Sequence, residues 1–346
     1  MKNLLVIFLF FVTLFTACKK DKKYKTENVI IVVVDGARYS ETWGDSTHKY
    51  IPYFSNEIAK FGIVNTEFYN NGKTSTVSGF TALTTGVYQE INNDGSQLPI
   101  TPSIFQYLVN SRKSNGHWIR SNFFNSKDAW IISSKNKLSI LGNCSDSIWE
   151  NKSLPSLDVG PKEMIFGFGG YKKIKNRHDT LTLARFFNIV SKHKPTLTLL
   201  GFKEPDIAGH ANSWEDYLEG IRKTDEYIYN IWKFIQNDLH YSGNTTLFIT
   251  NDHGRHLDSV KNGFKDHGVC YKKVKTNIAD TLRYGRSSGN SCEGCSHINF
   301  FAYGPDFKTG IIDNRREIID IPATIIELLQ LDAGYIEGEI MYELFE

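Results

Sequence analysis

The sequence predicts an α/β fold built on a mostly parallel central sheet. Residues 28–34, NVIIVVV, form an unbroken β-branched run closed by Asp35-Gly36, the pattern of a strand buried on both faces. Runs of similar character recur at 129–132, 196–200, 246–250 and 298–302. Helical patterns lie between or after them, clearest at 214–234 and 320–329. Strands alternating with helices place helices on both faces of one sheet.

The chain opens with Met1-Lys2-Asn3, an apolar run over 4–15 and Thr16-Ala17-Cys18. A basic start, a short apolar core and a small residue before the cut read as a secretory signal peptide. The run falls short of the ~20 residues that a permanent membrane helix needs. Ending on Ala17-Cys18, residues 1–18 look like a bacterial lipoprotein signal, with lipid attached to Cys18 after cleavage. An ordinary signal peptide with an incidental cysteine is the plainer alternative. Residues 19–27, rich in lysine, then read as a polar tether. The expected location is exported and lipid-anchored, on the periplasmic or cell-surface face of a bacterial membrane.

Residues 28–346 read as the catalytic domain, with no internal repeat and no Gly/Ser/Pro linker dividing it. A hydrophobic fraction of 40%, with 13% aromatic residues, is enough for a large core. The stretch 138–177 lacks periodicity and reads as an insertion at the rim of the site. A formal net charge of +2 supplies no strong basic field, so nucleic acid is not an expected partner. Apart from Cys18 the cysteines are Cys144, Cys270, Cys292 and Cys295. In an exported protein this even number favours one or two disulfides. Cys292-x-x-Cys295 has the spacing of a zinc knuckle but no second pair to match it.

Side chains of metal-ligand type fall into clusters just after predicted strands: Asp35, then Asp206 with His210, then Asp252 with His253. His267 completes the set. In an α/β fold, functional groups gather beyond the carboxyl ends of the strands. Asp206 and His210 stand four apart, so on a helical turn they share a face. Carboxylates mixed with imidazoles suit zinc, and two divalent metals can clamp the attacking and leaving oxygens of an in-line displacement. His297 rivals His267 as the last ligand, whereas His256 reads as a solvated loop residue. Thr76 precedes the helical stretch 77–85, where a hydroxyl would sit among positive backbone dipoles. Thr74, Ser75 and Ser78 compete with it, and an N-cap is the plainer use of any of them.

These residues, in this order, resemble the alkaline phosphatase superfamily, which includes sulfatases and nucleotide pyrophosphatase/phosphodiesterases. The resemblance runs from about residue 28 to 307 and implies an α/β/α sandwich with a mostly parallel sheet. Its pattern puts the nucleophile ten residues before a Thr-Gly that ends the following helix; with Thr85-Gly86 here, that residue is Thr76. It also implies one zinc held by Asp35, Thr76, Asp252 and His253, and another by Asp206, His210 and His267. Sulfatases of the superfamily need Cys or Ser at the nucleophile, followed by Pro and Arg; this chain has Thr76, Ser78 and Phe80. The phosphodiesterase branch uses Thr and usually an Asn three residues on, where this chain has Gly79. Arg38 and Lys73 are candidates for the missing phosphate contact. The function implied is metal-dependent hydrolysis of a small-molecule, lipid or glycan phosphoester. The alternatives are a phospho-group transferase on the same site, and a lipoprotein that only binds a glycan or lipid.

Overall fold

The computed structural model describes residues 24–111, 123–160, 176–259, 262–268 and 292–346, and the backbone of 164–167 and 170–173. Cys18, Cys270 and the segment read as a lipoprotein signal lie outside the described residues. The described residues form twelve strands: β1 (Asn28–Val34), β2 (Ile63–Asn65), β3 (Phe68–Tyr69), β4 (Ala129–Ser133), β5 (Ser156–Val159), β6 (Met164–Gly167), β7 (Gly170–Lys173), β8 (Leu197–Phe202), β9 (Thr245–Thr250), β10 (Phe300–Tyr303), β11 (Gly310–Ile312) and β12 (Arg316–Glu317). Eight of them form one sheet in the order β11-β2-β10-β9-β1-β8-β4-β5. The central neighbours β9, β1, β8, β4 and β5 run parallel, and β10 is antiparallel to both of its partners.

The main helices are α1 (Thr76–Thr85), α2 (Ile104–Val109), α3 (Asp179–His193), α4 (Glu204–His210) and α5 (Trp214–Asn237), followed by the helix Asp320–Leu329. All seven residues of β1 are buried, and alternate side chains enter different cores, as the two-residue period of a strand requires. Val29, Ile31 and Val33 join Val77, Phe80 and Leu83 of α1. Ile30, Val32 and Val34 join Phe186 of α3 and Tyr217, Ile228 and Ile231 of α5. Each Val or Ile so enclosed contributes roughly 1.5–3 kcal/mol by leaving water. The result is the α/β/α sandwich expected, with the carboxyl ends of β1, β4, β8 and β9 along one edge.

Three stretches differ from the sequence reading. Residues 24–26, read above as part of a polar tether, pack on the domain: Tyr24 and Thr26 are buried, Tyr24 Oη donates to Glu327 Oε1 at 2.6 Å, and the Lys25 and Thr26 amides bond to Asp306. The region 138–177 contains β5, which extends the main sheet beside β4. Its second part includes the β6–β7 hairpin, and neither strand was visible as a periodic run. No S–S bond joins two of the described cysteines. Cys292 and Cys295 hold their sulfurs 3.7 Å apart, against about 2.05 Å for a disulfide, and Cys144 is buried elsewhere. No helix of the described residues is long and apolar enough to cross a membrane.

Candidate active site

Four strand ends deliver the site. Asp35 follows β1, Lys135 follows β4, Asp206 lies on α4 just after β8, and Asp252-His253 follow β9. Thr76 is the first residue of α1, behind Ser75 in extended conformation. Lys135 Nζ lies 2.6 Å from both Asp35 Oδ2 and Asp206 Oδ2 and 3.2 Å from Thr76 Oγ1. All four side chains are buried. Arg255, fully buried, pairs with Asp206 Oδ1.

The imidazoles are oriented by backbone carbonyls. His253 Nδ1 donates to Gly254 O at 2.8 Å and His267 Nδ1 to Thr74 O at 2.9 Å. A carbonyl only accepts, so the proton sits on Nδ1 and each Nε2 keeps a lone pair for a ligand. His253 Nε2 stands 3.5 Å from Asp35 Oδ1 and 3.4 Å from Asp252 Oδ2. All three atoms are buried and lack a hydrogen-bond partner. Three lone pairs facing one another are costly unless a cation lies between them, and the Asp/His donor set suits a metal. His210 and His267 converge on Asp206 Oδ1 at 3.4 and 3.5 Å, with their Nε2 atoms 3.0 Å apart. Asp206 therefore takes part in both candidate ligand groups, with His210 and His267 and with Asp35 and His253. The Asp206 carboxylate is also engaged by Lys135 and Arg255.

Burial dominates the electrostatics. It pushes Asp35 up to about 6, with Asp206 adding to the rise and Lys135 opposing it. Burial and the nearby Asp35 raise Asp252 well above the usual carboxylate range. Burial also acts on Asp206, but Lys135 and the neighbouring histidines and Arg255 outweigh it and hold Asp206 well below that range. His267 is lowered by burial to about 4, and burial lowers His253 and His210 too. Neutral imidazoles are the form that binds a metal.

The structure brings Asp35, Thr76, Asp206, His210, Asp252, His253 and His267 into this one group. His297 is elsewhere, stacked between Tyr39 and Tyr69 with Nε2 2.8 Å from Thr66 O. Of the rival hydroxyls, those of Thr74 and Ser75 are buried without a partner, and Ser78 Oγ lies 3.4 Å from Ile91 O. Arg38 is no surface charge and no phosphate contact. It is buried, pairs with Glu41 and Asp258, and donates to His256 O. His256 is likewise buried, 5% exposed, and not solvated. At Gly79 a Cβ would stand 2.5 Å from Asp252 O, so packing of α1 on the β9 loop leaves no room for an Asn.

The sequence reading missed Lys135, Arg255 and Asp179. Lys135 carried a usable signal, standing just beyond a predicted strand as the site aspartates do. Asp179 is buried at the start of α3 and accepts from Ser134 Oγ and from the Lys203 and Glu204 amides. It thereby ties the residue before Lys135 to the start of the helix bearing Asp206.

Residues 27–331 match the family model described as Sulfatase. The chain belongs to the sulfatase family. This family lies within the alkaline phosphatase superfamily, whose enzymes hydrolyse phosphate or sulfate esters. The fold of this sulfatase-family chain is shared with murine ectonucleotide pyrophosphatase/phosphodiesterase 5 at 14% identity and TM-score 0.57, covering 92% of this chain and 100% of that one. It is shared with the alkaline phosphatase PafA at 13% identity and TM-score 0.57, covering 94% and 99%. The PsFucS1 sulfatase from Pseudoalteromonas sp. matches at 14% identity and TM-score 0.53, covering 93% and 72%. At such identities the likeness is one of fold. No curated protein sequence matches the chain significantly.

Proposed function

We propose that this chain is a metal-dependent hydrolase of phosphate esters in which Thr76 is the nucleophile. One observation carries the reading. Thr76 Oγ1 and the Asp35 and Asp206 carboxylates surround a single cationic position, beside three buried lone pairs on Asp35, Asp252 and His253. Asp35, Thr76, Asp252 and His253 would hold one divalent ion and Asp206, His210 and His267 the other, with zinc the ion expected from the donors. When bound, such ions neutralise charge on the ester oxygens and acidify hydroxyl groups.

The chain's own residues do the rest. Thr76, fixed at the first turn of a ten-residue helix, presents its oxygen where backbone dipoles favour an anion. Lys135 keeps a positive charge 3.2 Å from that oxygen, favouring its ionised form. Lys137 and the Val77 amide share Asn93 Oδ1 at 3.0 Å, which sets a second ammonium beside the helix start. These donors would take the phosphate contact for which position 79 has no space. Arg255 fixes Asp206, and the backbone carbonyls fix the rings of His253 and His267.

Phosphate is preferred over sulfate because residue 76 is Thr, whereas the superfamily's sulfatases depend on Cys or Ser there. Anchoring through lipid on Cys18 would place the site against small-molecule, lipid or glycan phosphoesters outside the cytoplasm. The test is turnover of a phosphomonoester, a phosphodiester and a sulfate ester by metal-loaded enzyme. Phosphate-ester hydrolysis that collapses in Thr76→Ala is expected; preferential sulfate-ester hydrolysis would overturn the reading.

A further inference from the structure

Beyond the Asp/His centre, a second group of ligand atoms is assembled by residues that the proposed reaction does not use. A ring nitrogen of His256 and the sulfurs of Cys292 and Cys295 all lie within 4.8 Å of one another. His256 and Cys295 are buried and Cys292 half-buried. We propose that His256, Cys292 and Cys295 bind a thiophilic transition-metal ion of the zinc class, separate from the active site.

The sulfur geometry supports a metal over a disulfide. With Zn–S bonds of about 2.3 Å in a tetrahedron, two thiolates stand about 3.8 Å apart. The observed separation is 3.7 Å, and a disulfide would bring the sulfurs to about 2.05 Å. Two thiolates and an imidazole are soft donors that favour zinc over magnesium or calcium. Three described ligands leave a fourth position for water or a further side chain.

The seat is built by the backbone. Cys292 precedes the short helix Glu293–Ser296, so the i, i+3 spacing puts both sulfurs on one side of it. That helix lies directly against the loop leaving β9, with the Gly254 amide donating to Cys295 O at 2.8 Å. A Cβ at Gly254 would stand 2.1 Å from Gly294 O, and one at Gly294 would stand 2.6 Å from Arg255 O. Only two glycines let these backbones touch, and their contact is what delivers His256 to the cysteines. His256 is itself held, its amide donating to Asp266 O and its carbonyl accepting from Arg38. The ion would clip the 292–296 turn to the loop that carries Asp252, His253 and Arg255.

Cobalt(II) loading of the full chain tests this independently of the hydrolase reading, because the Asp/His centre contains no thiolate. A near-ultraviolet thiolate-to-cobalt charge-transfer band is expected in the wild type and in Cys144→Ser. It should be lost in the Cys292→Ser/Cys295→Ser double variant, together with about one metal ion per chain. If the double variant does not fold, X-ray absorption on the zinc-loaded wild type decides: sulfur neighbours at about 2.3 Å are expected. Absence of sulfur neighbours in that spectrum, or a Cys292–Cys295 disulfide in the purified protein, would overturn the proposal.

Discussion

Lys135 Nζ sits 2.6 Å from Asp206 Oδ2 with both side chains buried, and the same ammonium lies equally close to Asp35. The lysine thus neutralises carboxylates from two different strand ends and stands next to the candidate nucleophile. Removing it leaves two acidic groups facing each other in the interior. Breaking one partner of a buried ion pair costs about 3–5 kcal/mol. Lys135→Met is expected to lower stability by about that amount in chelator-treated protein, and divalent metal should recover most of it. Denaturant unfolding with and without metal measures this; equal loss in both conditions would show that metal does not share the lysine's position.

Thr76→Ala removes the oxygen beside Lys135 and should cut turnover by about 1,000-fold or more, with little change in stability. Thr76→Ser keeps a hydroxyl and should retain measurable activity. Thr74→Ala, Ser75→Ala and Ser78→Ala should lose far less. A phosphorylated adduct mapped by mass spectrometry to any of those three positions would move the nucleophile.

Asp252→Ala and Asp206→Ala should each lower activity by more than roughly 100-fold, since each removes a ligand of the proposed two-metal centre. Their metal contents should differ. Asp252→Ala removes a buried carboxylate oxygen that has no other partner, whereas Asp206→Ala also frees Lys135 and Arg255. Elemental analysis after zinc loading reads the stoichiometry, and well under one ion per wild-type chain would refute the two-metal reading.

Metal affinity should fall as pH drops through about 6. Burial raises Asp35 to about that value and Asp252 further, so the metal-free site carries protons that a cation must displace. His267 and His253, both lowered by burial, are already neutral and release none. A carboxyl with a raised pKa in the folded state stabilises the metal-free protein at low pH, and that contribution is lost as pH rises through about 6. Stabilisation by added metal should therefore be larger at pH 8 than at pH 5. Thermal unfolding at both values checks it, and a pH-independent metal effect would contradict it.

Gly79→Asn should destabilise the protein by about 1–3 kcal/mol and install no new phosphate contact. The Asp252 backbone occupies the space that the side chain would need. A stable, more active variant would show that α1 and the β9 loop can separate.

Cys18→Ser should move the expressed protein from the membrane to the soluble fraction without loss of hydrolase activity per molecule. Membrane association that survives the change would argue against lipid attachment at Cys18.

Much of this protein was legible in its sequence because the relevant signals are local. The run at 28–34 states that a strand is buried on both faces, and the helices at 214–237 and 320–329 follow from spacing within each segment. Asp35, Asp206 and Asp252 could be singled out because each follows a strand, and strand ends share one edge of a parallel sheet. Tertiary structure decided what depends on contacts between distant segments. Lys135 meets Asp206 across 71 positions, His256 reaches cysteines far along the chain, and Asp252 closes off the space at Gly79. No local pattern encodes such meetings, since the register of the sheet and the packing of loops on it determine which strand ends touch. The sequence determined which chemical groups reach the working edge; the fold decided that a lysine sits between the carboxylates and that a histidine read as solvated is buried beside two thiols.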